Sequence, residues 1–408
     1  MKLDRGVGQA SDRTEVVLDL SRLLSRVLRT TPTGIDRVEL VYALGLLERI
    51  PDRLAFGARY PYGVYGRLSL AAVRQFLTTT AALWRNGDRV DRWTLQASAA
   101  RHLTALRPRI IPRARGPRVF LQSSPHHLED GGRMGRILAR ENAAFVCLVH
   151  DVIPVTHPEY ARENGAAVHL RRIDTIARHA RGIITNSAAT RDALAPFLDC
   201  GDRLRRVAVA HLGTEIGEDQ ARAAVHPDDR PYFVCVATIE PRKNHLLLLN
   251  VWKRLVEEQG PAAPKLILIG RRGWENEQVV DMLERCVALQ GVVEEYSSMS
   301  DRRMFDMMRG ARALLLPSFA EGFGMPVSEA LALGVPVIAS DLTPLREVGI
   351  DVPDYIDPLD GIAWLTAIRD YACVDSPRRA AQLARLPGWL APGWADHLDI
   401  VMDVVDSV

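Results

Sequence analysis

The stretch LLLPSFAEGFGMPVSEALALGVPVIASD, Leu314 to Asp341, decides the fold. Its apolar opening stops at Pro317, and a Gly-Phe-Gly turn follows. A segment suited to a helix starts near Pro326 and ends at Gly334, and VPVIAS resumes as a strand. Proline fits a first helical turn because no N–H is needed there, and glycine fits the residue just past a helix end. A strand, turn, helix and strand whose strands are apolar throughout make one unit of a parallel sheet covered on both faces. The charge distribution is odd for such a unit. From Gly322 to Ser340 there are nineteen residues and one charge, Glu329, with a second carboxylate, Glu321, eight positions upstream.

The same rhythm extends on both sides. YFVCVAT (232–238), KLILIG (265–270) and VVEEY (292–296) read as strands separated by helices. Asn244 is placed to cap the helix HLLLLNVWKRLVEEQ, Ser300 to cap DRRMFDMMRGA, and a further helix is expected near 275–289. The first half is looser. VVLDLS (16–21), RVFLQS (118–123), FVCLV (145–149), GIIT (182–185) and RVAVA (206–210) read as strands, with a helix from about Arg37 to Arg49 and a cap at Asn186 or Ser187. Residues 60–116 suggest inserted helices. Residues 213–230 are polar and bear Pro and Gly, as a linker does. The expectation is two doubly wound α/β domains, over 1–215 and 216–390, with a terminal helix over 391–408. Ligands of such sheets bind beyond the carboxyl ends of strands. His150, the Arg242–Lys243 loop and the Glu321 loop all follow strands, so they should face one crevice.

Composition narrows the class. With 408 residues, 47% hydrophobic and 25% charged, the chain is that of a globular protein of about two domains. No apolar run of membrane-spanning length and no signal peptide is seen, so the cytoplasm is expected. The five cysteines form no Cys-x-x-Cys, which suggests neither a disulfide framework nor a zinc knuckle. Net charge is +2, but residues 1–120 carry 21 Lys+Arg against 10 Asp+Glu. The excess peaks in RHLTALRPRIIPRARGPR (101–118). Such a half either meets an anionic membrane or substrate, or is a solvated arginine-rich surface.

The Glu321 loop carries the chemistry. Gly322 and Gly324 let the backbone approach a ligand, and the free amides at the start of the next helix favour an anion such as phosphate. Two carboxylates flanking a phosphate site suit a nucleotide sugar, because each accepts two hydrogen bonds from a vicinal diol. The plain alternative, a loop glutamate plus one favoured by the helix dipole, covers either residue alone better than both together.

EGFGMPVSE resembles the Glu-x7-Glu signature of retaining glycosyltransferase family 4, also called glycosyltransferase group 1, which has the GT-B fold. The resemblance runs through LALGVPVIASDLTPLREV, ATIEPRKN, LILIGRRGW, VHDVIPVTHPEY and IITNSAATRDAL, and is fainter at TGIDRVELVYAL. It implies that Glu321 holds the donor sugar's hydroxyls, that Glu329 binds the ribose, and that Phe323, Gly324 and Met325 offer backbone N–H groups. Lys243 would pair with the diphosphate, one of four lysines in a chain with 48 arginines. Many relatives have Arg where this chain has Thr238, and Arg242 is expected to supply that charge. Arg346 stands where relatives often have Pro. His150 would approach the donor sugar, and Gly34 would let the first loop approach the diphosphate or acceptor. Against each stands a bland role: a structural histidine at a strand end, an ordinary turn glycine, a surface lysine.

The resemblance implies a retaining, metal-independent hexosyltransferase that takes mannose or glucose from a GDP- or UDP-linked donor. It would serve bacterial surface polysaccharide synthesis, with no further cofactor and no nucleic acid partner. No Asp-x-Asp, the usual metal-holding pair, occurs in the chain. A dehydrogenase is disfavoured, since GVGQAS lacks the third glycine of a dinucleotide turn. A non-catalytic nucleotide-sugar-binding or scaffold subunit is the alternative that donor hydrolysis would separate.

Overall fold

The computed structural model describes residues 14–60, 63–87, 90–114, 116–198, 205–214 and 230–408. Most of the expected linker, and Arg115 of the basic stretch, lie outside these residues. The first sheet contains β1 (Glu15–Asp19), β2 (Leu54–Arg59), β3 (Tyr65–Arg67), β4 (Arg118–Gln122), β5 (Ala144–Val149), β6 (Ala180–Thr185) and β7 (Arg206–Val209). Their spatial order is β3-β2-β1-β4-β5-β6-β7, parallel except where β3 pairs antiparallel with β2. The second sheet contains β8 (Tyr232–Val236), β9 (Lys265–Ile269), β10 (Val293–Tyr296), β11 (Leu314–Leu316), β12 (Val337–Ser340) and β13 (Asp354–Ile356). Its order is β10-β9-β8-β11-β12-β13, with every pair parallel.

Both sheets follow the doubly wound pattern, and continuous apolar runs such as LLL and KLILI are buried on both faces. Several details depart from the sequence reading. The first strand ends at Asp19, because Ser21 opens a short helix to Ser25. Residues 60–116 add β3 to the sheet edge before the helices Leu70–Asn86 and Arg92–Ala105. The helix near 275–289 is a helix Glu277–Arg285 followed by a separate turn Val287–Leu289. Asn244 precedes its helix in a left-handed conformation, φ 54°, so its side chain cannot cap. It donates instead to the Pro358 carbonyl at 3.0 Å. Ser187 and Ser300 do cap, each accepting from the amide three residues on.

The terminal helix Trp394–Asp406 lies on the first domain. His397 Nε2 meets the Tyr42 hydroxyl at 2.7 Å, and Arg49 donates to the Ala395 carbonyl at 2.8 Å. A Cβ on Gly45 would stand 2.4 Å from Leu398, so that glycine sets how closely the helix Gly34–Arg49 approaches.

Candidate active site

A cleft of about 530 Å³ opens between the carboxyl ends of the two sheets. His150, Thr238, Arg242, Lys243, Glu321 and Glu329 line it. So do Gly34 and the turn residues Gly322, Phe323, Gly324 and Met325. The loops that follow strands therefore converge as the topology requires.

The turn after β11 is shaped by two glycines. A Cβ on Gly322 would stand 2.3 Å from the His150 carbonyl, so only glycine lets the loops of the two domains touch there. Gly324 has φ 102°, a conformation that favours glycine, and a Cβ would strike Leu345 at 2.4 Å. The Gly322 carbonyl accepts from the Ser187 hydroxyl at 2.7 Å and the Thr190 hydroxyl at 3.2 Å. The turn is thus fixed from across the cleft. The amides of Phe323, Gly324 and Met325 find no backbone acceptor among the described residues, and Met325 opens the helix Met325–Ala332. Unpaired amides at a helix start favour a negatively charged group.

Glu321 is held at both oxygens. Lys243 Nζ lies 2.5 Å from Oε1, Arg242 Nη1 lies 3.1 Å from Oε2, and the Ser318 hydroxyl donates to Oε1 at 2.6 Å. Burial opposes its charge, but Lys243 and Arg242 outweigh burial and hold the carboxyl down at about 2. Arg242 also donates to Glu240 at 3.0 Å and to the Ala320 carbonyl at 2.9 Å, which fixes its guanidinium beside Glu321.

Glu329 takes a hydrogen bond from Arg37 at 2.9 Å, and Arg37 also bonds Asp301 at 2.5 Å. Burial, only partly offset by Arg37, pushes Glu329 up to about 7. His150 donates from Nε2 to the Ser123 carbonyl at 2.7 Å, which fixes the tautomer and leaves Nδ1 as an acceptor. Burial lowers its pKa, so the ring is neutral.

Sequence reasoning missed Arg37, Asp301 and Glu347. Glu347 accepts from the amides of Ala188 and Ala189 at 2.7 and 2.8 Å, tying the second domain to the start of a helix in the first. The signal for Arg37 was present, since it lies within TGIDRVEL; its partner was not readable. Arg346 pairs with Asp341 at 2.8 Å and lies over the Tyr355 ring at 4.4 Å, which accounts for an arginine at that place. Among the described residues, no group of three or more His, Cys, Asp or Glu is arranged to hold a metal ion, and no helix is long and apolar enough to cross a membrane.

Residues 217–352 match the family model of glycosyl transferases group 1. The O-antigen chain mannosyltransferase B of Escherichia coli is 29% identical over 60% of this chain and 61% of its own length. The serotype-specific mannosyltransferase WbdA of the same organism is 26% identical over 51% of this chain and 27% of its own length. The chain thus spans only part of the length of these curated relatives. The crystal structure of the α,α-trehalose 6-phosphate synthase of Burkholderia multivorans superposes with a TM-score of 0.62 at 12% identity, over 97% of this chain and 98% of that one. The fold is GT-B.

Proposed function

We propose that this chain, whose second domain belongs to the group 1 glycosyl transferases, moves a hexose from a nucleoside-diphosphate sugar to a hydroxyl of a growing glycan, with retention and without a divalent metal. The observation that carries this reading is Glu321, held ionised by Lys243 and Arg242 beside the free amides of Gly324 and Met325. A fixed carboxylate orients sugar hydroxyls. A lysine and a helix N-terminus beside it supply the positive charge that a departing diphosphate needs, a role that the metal fills in other transferases. Lys243 would turn from Glu321 toward the phosphates as they arrive, and Arg242 would keep Glu321 in place. His150, neutral with Nδ1 open, would accept from a sugar hydroxyl. Glu329 would take the ribose diol, and Gly34 would bring the first loop to the phosphates.

Likeness to two mannosyltransferases favours a GDP- or UDP-linked hexose, mannose first, and a role in bacterial surface polysaccharide synthesis. The acceptor would be a glycan or lipid-linked glycan at the inner face of the membrane. The basic stretch is only partly available for membrane contact. Arg118 is buried in ion pairs with Glu15 and Glu141, whereas Arg107, Arg109 and Arg113 are exposed beside Ile110, which is 94% exposed. Binding to anionic vesicles should therefore fall with salt and be lost in R107Q/R109Q/R113Q. Binding that ignores salt, or persists in the variant, would leave this stretch a solvated surface.

The functional test is a thermal-shift screen with GDP, UDP, ADP and their common sugars. One nucleotide family should raise the Tm of the protein, and the rise should shrink in E329Q. A flat response to all of them would contradict the reading.

A further inference from the structure

Of the six arginines that line the cleft, Arg162 lies over the Trp274 ring at 4.4 Å, and the other five are of two kinds. Arg22, Arg37 and Arg242 each carry a carboxylate at hydrogen-bond distance: Asp36 at 2.6 Å, Glu329 at 2.9 Å and Glu321 at 3.1 Å. Arg26, from the first domain, and Arg271, from the second, line the same cavity without one. Asp36, the acid beside Arg26, lies 3.7 Å from its Nε. Both oxygens of Asp36 are already taken, one by Arg22 and the other by the amide and hydroxyl of Thr33. Arg26 Nε is buried and has no hydrogen-bond partner among the described residues. Arg271 crosses the cleft and donates to the Thr31 carbonyl at 2.6 Å and to the Thr31 hydroxyl, both neutral groups.

Burial, and then neighbouring arginines, pull both guanidinium pKa values down: Arg22 acts on Arg26, and Arg29 and Arg26 act on Arg271. Asp36 acts the other way on both and Glu39 on Arg26, without outweighing burial and the neighbouring arginines. Burial pushes Glu39 up to about 8, so it is protonated at neutral pH. Half-buried cations whose one shared acid, Asp36, is already bonded by Arg22 and Thr33 cost free energy, and an arriving anion lowers that cost. The planar fork of a guanidinium matches the oxygens of a phosphate.

We propose that Arg26 and Arg271, brought together from the two domains beside the Thr31–Gly34 turn, form a phosphoryl-binding site additional to Lys243. The phosphoryl group would belong either to the donor's diphosphate, in place of the arginine absent at Thr238, or to a phosphate on the acceptor. This choice of carriers rests on the transferase reading; the site itself does not. Since its halves come from different domains, the bound group also holds the cleft closed.

The test uses the full chain and the variants R26Q/R271Q and R26K/R271K, with circular dichroism to establish that they fold. Inorganic phosphate should raise the Tm of the parent protein saturably, and R26Q/R271Q should lose that response. R26K/R271K should keep part of it, because lysine retains the charge and loses the fork. GDP, UDP and ADP are titrated in parallel by calorimetry. A fall of about tenfold or more in nucleoside-diphosphate affinity in R26Q/R271Q identifies the donor's diphosphate, while affinity within about twofold of the parent identifies an acceptor phosphate. No phosphate response in the parent, or an equal response in a folded R26Q/R271Q, overturns the site. A phosphate response that depends on these arginines, in a protein that binds no nucleoside diphosphate, keeps the site and removes the transferase reading.

Discussion

Glu321 and Glu329 are equally enclosed, each with a side chain 7% exposed, yet their carboxyl pKa values move in opposite directions. Burial penalises both charges, so the partners decide. Glu321 has two cations, Lys243 and the Arg242 it shares with Glu240, and a hydroxyl, and its carboxyl is held at about 2. Glu329 has one cation, Arg37, which it shares with Asp301, and it rises to about 7. A carboxylate permanently charged suits a group that must fix a sugar beside a reacting carbon. One that titrates near neutrality suits a group that gains its charge partner, or its diol, on binding. The consequences for stability have opposite signs. The depressed pKa of Glu321 stabilises the fold above the ordinary carboxyl range, and this is lost as pH falls from about 4.5 toward about 2. The raised pKa of Glu329 favours the fold at low pH, and this is lost as pH climbs from about 4.5 through about 7.

The largest expected effect comes from removing the charged member. E321Q should lower kcat on the order of 10²–10³-fold, the scale seen when one preorganised electrostatic group is lost, and change nucleotide affinity far less. E329Q should do the reverse, and equal losses in both parameters for both variants would erase the contrast.

Next in size is R37Q, which strips Glu329 and Asp301 of their shared cation. It should cost ~1–3 kcal/mol in urea unfolding, because the buried Glu329 and the partly exposed Asp301 lose their donor. The loss should grow as pH rises, since both acids then ionise unpaired. A loss that shrinks with pH would mean that Arg37 does not govern Glu329.

Smallest is a pH effect on binding. Only an ionised Glu329 accepts two bonds from a diol, so nucleotide affinity should rise by up to about tenfold between pH 6 and pH 8, one pKa unit corresponding to tenfold. E329Q should flatten the profile; the same slope in both proteins would assign the titration to another group.

How much of this was legible in the sequence follows the range of the contacts. The Glu321 turn and the loops after β5 and β8 could be placed because strand, glycine turn and helix are local patterns. The strands β2 and β13 were missed: LAFGAR is broken by glycine and ends in a charge, and DYI is too short to show a period. The ion balance that separates the two glutamates was hidden. Arg37 meets Glu329 and Asp301 across 292 and 264 positions, distances that only the assembled domains close. The partners of Arg242 were hidden for the same reason. Only the packed loop shows Glu240, Glu321 and the Ala320 carbonyl taking its donors.

The central claim is that Glu321, Lys243 and the Met325 helix start release a sugar from a nucleotide with its configuration kept and no metal required. Proton NMR of slow donor hydrolysis tests this directly. The purified chain is incubated in excess EDTA with GDP-mannose and, separately, with UDP-glucose. The account predicts that one donor is consumed, that the sugar first appears in the anomeric configuration it had in that donor, and that E321Q abolishes the signal. Sugar of the opposite configuration, hydrolysis only when magnesium or manganese is restored, or an E321Q rate equal to that of the parent would contradict it.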